Sequence, residues 1–99
     1  MSVPKLTEME LQEHLQKLPG WSLTDNQLVK EYQFKNFVKS LQFVNQVGET
    51  AESINHHPDI DIRYSKVTLQ LTTHDSGGIT LNDVELAAMS DDSAEAVQA

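Results

Sequence analysis

The fold turns on one stretch: Asp59-Ile60-Asp61-Ile62-Arg63-Tyr64-Ser65-Lys66-Val67-Thr68-Leu69-Gln70-Leu71-Thr72. Ile60, Ile62 and Tyr64 alternate with Asp59, Asp61 and Arg63. After Ser65, Val67, Leu69 and Leu71 alternate with Thr68, Gln70 and Thr72. A period of two marks a strand with one dry face and one wet face, so this stretch predicts two half-buried strands with a turn at Ser65. Strands joined this tightly pair antiparallel. Upstream, Trp21-Ser22-Leu23 reads as a short strand and Thr24-Asp25-Asn26 supplies turn chemistry. Leu28, Tyr32 and Phe34 then alternate with polar neighbours. Lys30 interrupts that row, which predicts a face only partly buried. These two runs form an earlier hairpin.

Helical patterns flank the hairpins. Thr7-Glu8-Met9-Glu10 has the form of a capping box, followed by Leu11, Leu15 and Leu18 and closed by Pro19-Gly20. After an Asn36 cap, Phe37, Leu41, Val44, Gly48 and Ala51 fall on one stripe, with Val47 and Ile54 beside it. This predicts a helix of about five turns that ends near Asn55, because Pro58 disfavours helical geometry at the residue before it. Beyond Gly77-Gly78, Thr80-x-x-Asp83 opens a last helix carrying Val84, Ala87 and Ala88. Residues 90–99, acidic and built of small side chains, are expected to be a frayed or disordered tail.

The order α-β-β-α-β-β-α predicts an α+β, two-layer domain spanning 1–99, with a four-stranded antiparallel sheet and three helices. Three short helices cover one face of such a sheet well. The other face is therefore polar or receives a partner, and homo-oligomerisation is expected.

The composition narrows function. The chain has 99 residues, 7 Lys+Arg against 15 Asp+Glu, and a formal net charge of −8. A surface of that sign repels nucleic-acid phosphates and anionic headgroups, so no direct nucleic-acid or membrane partner is expected. The chain has no cysteine, which removes disulfides, thiolate metal sites and cysteine nucleophiles. No apolar run approaches the roughly 18 residues of a membrane span and no signal-peptide core is evident, so the expected compartment is the cytoplasm.

Three of the four histidines fall between positions 56 and 74. Glu52 and His56 stand four apart and share a face on a continuing helix. His57 follows, and Pro58 directs the exit, so the two imidazoles should diverge. His74 is placed at the end of the fourth strand, beside Asp75, on the face away from Val67, Leu69 and Leu71. If that strand end meets the end of the long helix, three imidazoles and a carboxylate share one cleft. With an unperturbed pKa near 6.5, neighbouring imidazoles divide into acid and base forms at neutral pH, which suits elimination of water. Three histidines also describe a catalytic zinc site. Against zinc stand the absence of an HExxH motif and of thiolates, and the difficulty of aiming adjacent histidines at one ion, so no metal is expected. His14, between Leu11 and Leu15, reads as an ordinary helix residue.

Glu52-x-x-x-His56-His57-Pro58, then Tyr64, His74 and Asp83, resembles the signature of the pterin-4a-carbinolamine dehydratases, as does Thr73-His74-Asp75-Ser76-Gly77-Gly78-Ile79-Thr80-Leu81-Asn82-Asp83. The likeness runs from Trp21 through Phe34–Phe37 to Leu86-Ala87-Ala88. It implies dehydration of 4a-hydroxytetrahydrobiopterin to quinonoid dihydrobiopterin with no cofactor, pterin being the substrate, in a homodimer or homotetramer. It also implies catalytic roles for His56, His57, His74 and Glu52. Pterin contacts are implied at Asn55, His56, His57, Thr72, Thr73, His74 and Asp75. Asp83 matches the signature acid, although Thr80-x-x-Asp83 favours helix capping. Ile60 and Ile62 stand where some relatives carry aromatics, so no ring stacking is expected from that strand. Animal members of the family also act as dimerisation cofactors of a homeodomain transcription factor. That makes a protein-binding coactivator role, with nuclear presence, the alternative. A degenerate homologue that binds pterin without turnover fits poorly with an intact Glu52, His56, His57 and His74.

Overall fold

A computed structural model describes residues 3–98. They run as α1 (Glu8–Leu15), β1 (Ser22–Thr24), β2 (Gln27–Gln33), α2 (Phe37–Ile54), β3 (Asp59–Arg63), β4 (Lys66–Leu71), a 3-10 turn (His74–Ser76) and α3 (Leu81–Gln98). The four strands form one antiparallel sheet in the order β1-β2-β4-β3, so the two hairpins meet through β2 and β4. Their register pairs Tyr32 with Val67 and Leu28 with Leu71, while β3 pairs Ile60 with Leu69 and Ile62 with Val67. Residues directly paired across a ladder point to the same face. Leu28, Tyr32, Val67, Leu69 and Leu71 therefore point together towards the helices, where they are buried with Phe43, Val47 and Leu86. The opposite face carries Glu31, Gln33, Asp61, Lys66 and Gln70, all exposed, so it is polar.

Local chemistry explains the element ends. Thr7 Oγ1 accepts from Glu10 N–H, and Glu10 reaches back to Thr7 N–H. The Thr7 backbone bond is the first cause holding the Glu10 carboxyl below its ordinary range. The first hairpin turns on Asp25 and Asn26, both left-handed (φ 51° and 61°), as a two-residue turn between twisted strands requires.

Four expectations are corrected. Ala94 and Val97 are buried and α3 continues to Gln98, so residues 90–98 are helix instead of a frayed tail; Ala99 lies outside the described residues. Small side chains at Ala87, Ser90 and Ala94 let α3 pack closely, which their weak hydrophobicity concealed. On α2 the buried face is Ser40, Phe43, Val47 and Ala51, whereas Phe37 and Leu41 of the expected stripe are exposed. β3 is an exposed edge strand, and Tyr64 has left the strand for the turn, left-handed at φ 54°. The β2 face bearing Lys30 is buried at Leu28, Tyr32 and Phe34. Lys30 fits there because its ammonium donates to Pro19 O (3.0 Å) and to Asp91 (2.9 Å).

Candidate functional site

The end of α2 decides where the histidines go. Asn55 takes left-handed geometry (φ 51°, ψ 45°), its N–H returns to Ala51 O and Glu52 O, and His56 N–H also returns to Ala51 O (3.0 Å). Such a cap ends the helix and reverses the chain. Helical spacing therefore stops before His56, and Glu52 and His56 do not share a face. Glu52 instead hydrogen-bonds His57 in an exposed pair. The expected divergence of the two imidazoles is present: His57 lies over the helix end, while His56 turns inward.

His56 meets the start of α3. Its Nε2 lies 2.6 Å from Asp83 Oδ1, with the His56 side chain 12% exposed and Asp83 fully buried. The other carboxylate oxygen, Oδ2, accepts from Thr80 N–H (2.9 Å) and Thr73 Oγ1–H (2.7 Å). Asn82 N–H donates to Thr80 Oγ1 (3.2 Å), which completes a reciprocal cap on α3. Capping and a site role were alternatives for Asp83 in the sequence; its Oδ2 takes part in the cap while its Oδ1 meets His56.

β4 ends at Leu71, so His74 does not continue the strand; it opens the 3-10 turn and is exposed. The turn is held by paired bonds between Thr73 and Gly78 (3.0 and 3.3 Å). It is also tied to the first hairpin, where Asn26 Nδ2–H donates to Gly77 O (2.9 Å) and Thr72 Oγ1–H to Asn26 O (3.2 Å).

These elements form an open pocket of about 250 Å³ lined by Asn55, His56, His57, Thr72, Thr73, His74 and Asp75. The seven residues at which the resemblance implies pterin contacts are thus brought together. Glu52, Pro58 and Asp83 are outside the lining, and the first and last hydrogen-bond His57 and His56. The Thr73 hydroxyl is engaged by Thr80 Oγ1 and Asp83 Oδ2. Among the described residues no group of three His, Cys, Asp or Glu side chains is arranged to hold a metal ion. Three imidazoles around one polar cavity, two of them paired with carboxylates, are equipped for proton transfer.

Sequence reasoning missed Asp91. It receives hydrogen bonds from Trp21 Nε1 (3.1 Å), Lys30 Nζ (2.9 Å) and Tyr32 Oη (2.5 Å), and so ties α3 to the first hairpin. Burial first, then the Asp91 carboxylate, push the Tyr32 hydroxyl well above its ordinary value. No local motif announces this cluster, because its donors lie some 60 to 70 residues away.

The sequence matches the family described as Pterin 4 alpha carbinolamine dehydratase over residues 4–93. A relative from Sulfurisphaera tokodaii, provisionally named a pterin-4-alpha-carbinolamine dehydratase, is 52% identical over 88 residues, covering 89% of this chain and 95% of its own. One from Picosynechococcus sp., provisionally given the same name, is 48% identical over 87 residues, covering 88% and 95%. The crystal structure of a transcriptional coactivator/pterin dehydratase from Brucella melitensis superposes with a TM-score of 0.88 at 33% identity, over 91% of this chain and 98% of that one. A pterin dehydratase-like RuBisCO assembly factor of the alpha-carboxysome shares the fold, with a TM-score of 0.62 at 20% identity over 75% and 86% of the two chains.

Proposed function

The chain belongs to the pterin-4a-carbinolamine dehydratase family, and from that premise we propose that it eliminates water from 4a-hydroxytetrahydrobiopterin to give quinonoid dihydrobiopterin. The observation that carries this reading is the cavity shared by His56, His57 and His74. An imidazolium, from His56 or His74, protonates the C4a hydroxyl as it leaves as water, and a neutral imidazole takes the proton released from the ring. Because the two candidates sit on different elements, either face of the pterin can be served. Glu52 orients His57, since those two are hydrogen-bonded. The reaction is an acid–base elimination that draws on protein side chains, with no metal or cofactor. The cytoplasm is the compartment that suits this chemistry; no described helix is long and apolar enough to cross a membrane. The test is a stopped-flow assay of carbinolamine dehydration. Acceleration over the spontaneous reaction is expected, and no acceleration by the wild-type protein overturns the proposal.

The protein works as a homodimer or homotetramer. Supporting this are the open β3 edge, bearing Ile60 and Ile62 at 36% and 38% exposure, and the neighbouring flank of α2 with Phe37 and Leu41 at 43% and 39%. Val44, Gly48 and Ile60 line the groove between them. An edge strand with apolar side chains invites pairing with another chain. Size-exclusion chromatography with light scattering is expected to show an oligomer that Ile62→Lys dissociates, because a lysine on the edge opposes strand pairing. A wild-type monomer at micromolar concentration refutes this. The same surface favours the second reading, a protein-binding coactivator role without DNA contact, and the −8 charge is compatible with a protein partner.

A further inference from the structure

The geometry points to Thr73 and Asp83 as positioning residues that hold neutral His56 in one tautomer, with the proton on Nε2, so that Nδ1 is the nitrogen presented to the substrate. This rests on the proposed dehydratase reading for its chemical consequence, but the tautomer itself is a property of the protein.

A hydroxyl has one proton to donate, and an ionised carboxylate only accepts. Thr73 Oγ1 gives its proton to Asp83 Oδ2 (2.7 Å), so the 2.8 Å contact between Thr73 Oγ1 and Thr80 Oγ1 must be donated by Thr80. Thr80 Oγ1 in turn accepts from Asn82 N–H (3.2 Å). The chain of donors therefore runs one way: Asn82 N–H, Thr80 hydroxyl, Thr73 hydroxyl, Asp83. With Thr80 N–H also on Oδ2 (2.9 Å), that oxygen has two donors, and Oδ1 is left as the acceptor for His56 Nε2–H at 2.6 Å. The position of Asp83 in the first turn of α3 suits this role, because its negative charge complements the positive end of the helix dipole.

Nδ1 is the free end. It hydrogen-bonds no other described residue, yet Ser90 Oγ is the one buried side-chain polar atom left without a partner among the described residues. Nδ1 is therefore not sealed off, and the ring to which it belongs lines the cavity. The hydrogen bond at one imidazole nitrogen sets the protonation of the other. Thr73 thus has a task its place in the cavity wall did not reveal. It links the loop carrying His74 to the carboxylate that orients His56.

The experiment is ¹⁵N imidazole NMR of the full chain at a pH where His56 is neutral, with its resonances assigned from their loss in His56→Gln, alongside steady-state kinetics. Wild type is expected to show a single tautomer protonated at Nε2. Thr73→Val removes the hydroxyl at nearly constant shape, so Asp83 loses a donor that fixes its orientation and no longer holds Nε2; the unheld ring is expected to give a mixture of tautomers. Its kcat should fall about tenfold, the order lost when outer-shell partners of metal-bound histidines are removed, and Thr73→Ser should restore both readouts. Asp83→Asn is a second route. Its amide oxygen must face the Thr73 and Thr80 donors, which aims the amide N–H at Nε2 and is expected to move the proton to Nδ1. A wild-type ring protonated at Nδ1, or Asp83→Asn keeping the Nε2–H tautomer, overturns the inference. A single Nε2–H tautomer in Thr73→Val overturns the role of Thr73, whatever kcat does. If the wild type shows the Nε2–H tautomer but accelerates no dehydration, the positioning inference holds and the proposed reaction fails.

Discussion

Replacing His74 with alanine is expected to slow carbinolamine dehydration by about two to four orders of magnitude, the usual contribution of a positioned general acid or base. The same substitution should leave thermal stability nearly untouched. His74 is exposed on its 3-10 turn and its side chain makes no hydrogen bond to another described residue, so nothing in the fold depends on the ring. Such surface changes usually stay within about 0.5 kcal/mol. His56→Ala should behave differently, since it removes the ring that satisfies Asp83 Oδ1 at a fully buried site. A buried polar group left without its partner costs about 1–3 kcal/mol, so this variant should lose stability as well as rate. Stopped-flow rates and thermal melts on the two proteins separate chemistry from folding. Full rate in both variants would rule out either histidine as the acid.

Asp91→Ala is expected to be the most damaging polar substitution outside the candidate site, at about 3 kcal/mol from several charge-assisted bonds acting together. The Asp91 carboxylate is three-quarters buried and takes donors from Trp21, Lys30 and Tyr32. Without it the indole N–H and the phenol lose their acceptor in the protein, and Lys30 keeps only Pro19 O. Urea denaturation measures the loss, and hydrogen exchange should show the last turns of α3 opening first. A change under about 0.5 kcal/mol would mean that surface water replaces the carboxylate. Tyr32 adds a pH dependence of fixed sign. Its hydroxyl titrates above the ordinary 10.0 when folded, so the folded protein holds a proton that the unfolded chain releases. That contribution is intact below pH 10 and is lost as the pH rises beyond it.

The elements most legible in the sequence are those whose signals are local. The Thr7–Glu10 box, the Asp25-Asn26 turn and the alternation through β4 each depend on residues a few positions apart, and each stands in the structure. The long helix shows where local information ends. Phe37, Leu41 and Val44 compete with Phe43, Val47 and Ala51 for the core, and both sets have helical spacing. Which set faces the sheet depends on where α3 and β4 lie. Residues 90–98 show the reverse case: alanine and serine look too weakly apolar to hold a helix, yet they suit a close approach between packed elements.

The histidine cluster follows the same division. The grouping of His56, His57 and His74 with Glu52 was readable from residue type and spacing along the chain, whereas Asp83 joined it only through the resemblance to the family. The partnerships were not readable. A left-handed Asn55 breaks the helical spacing, sends Glu52 to His57, and delivers His56 to an aspartate 27 positions away. Hydrogen bonds form between atoms brought within about 3 Å, and for residues this far apart in the chain only packing sets that distance.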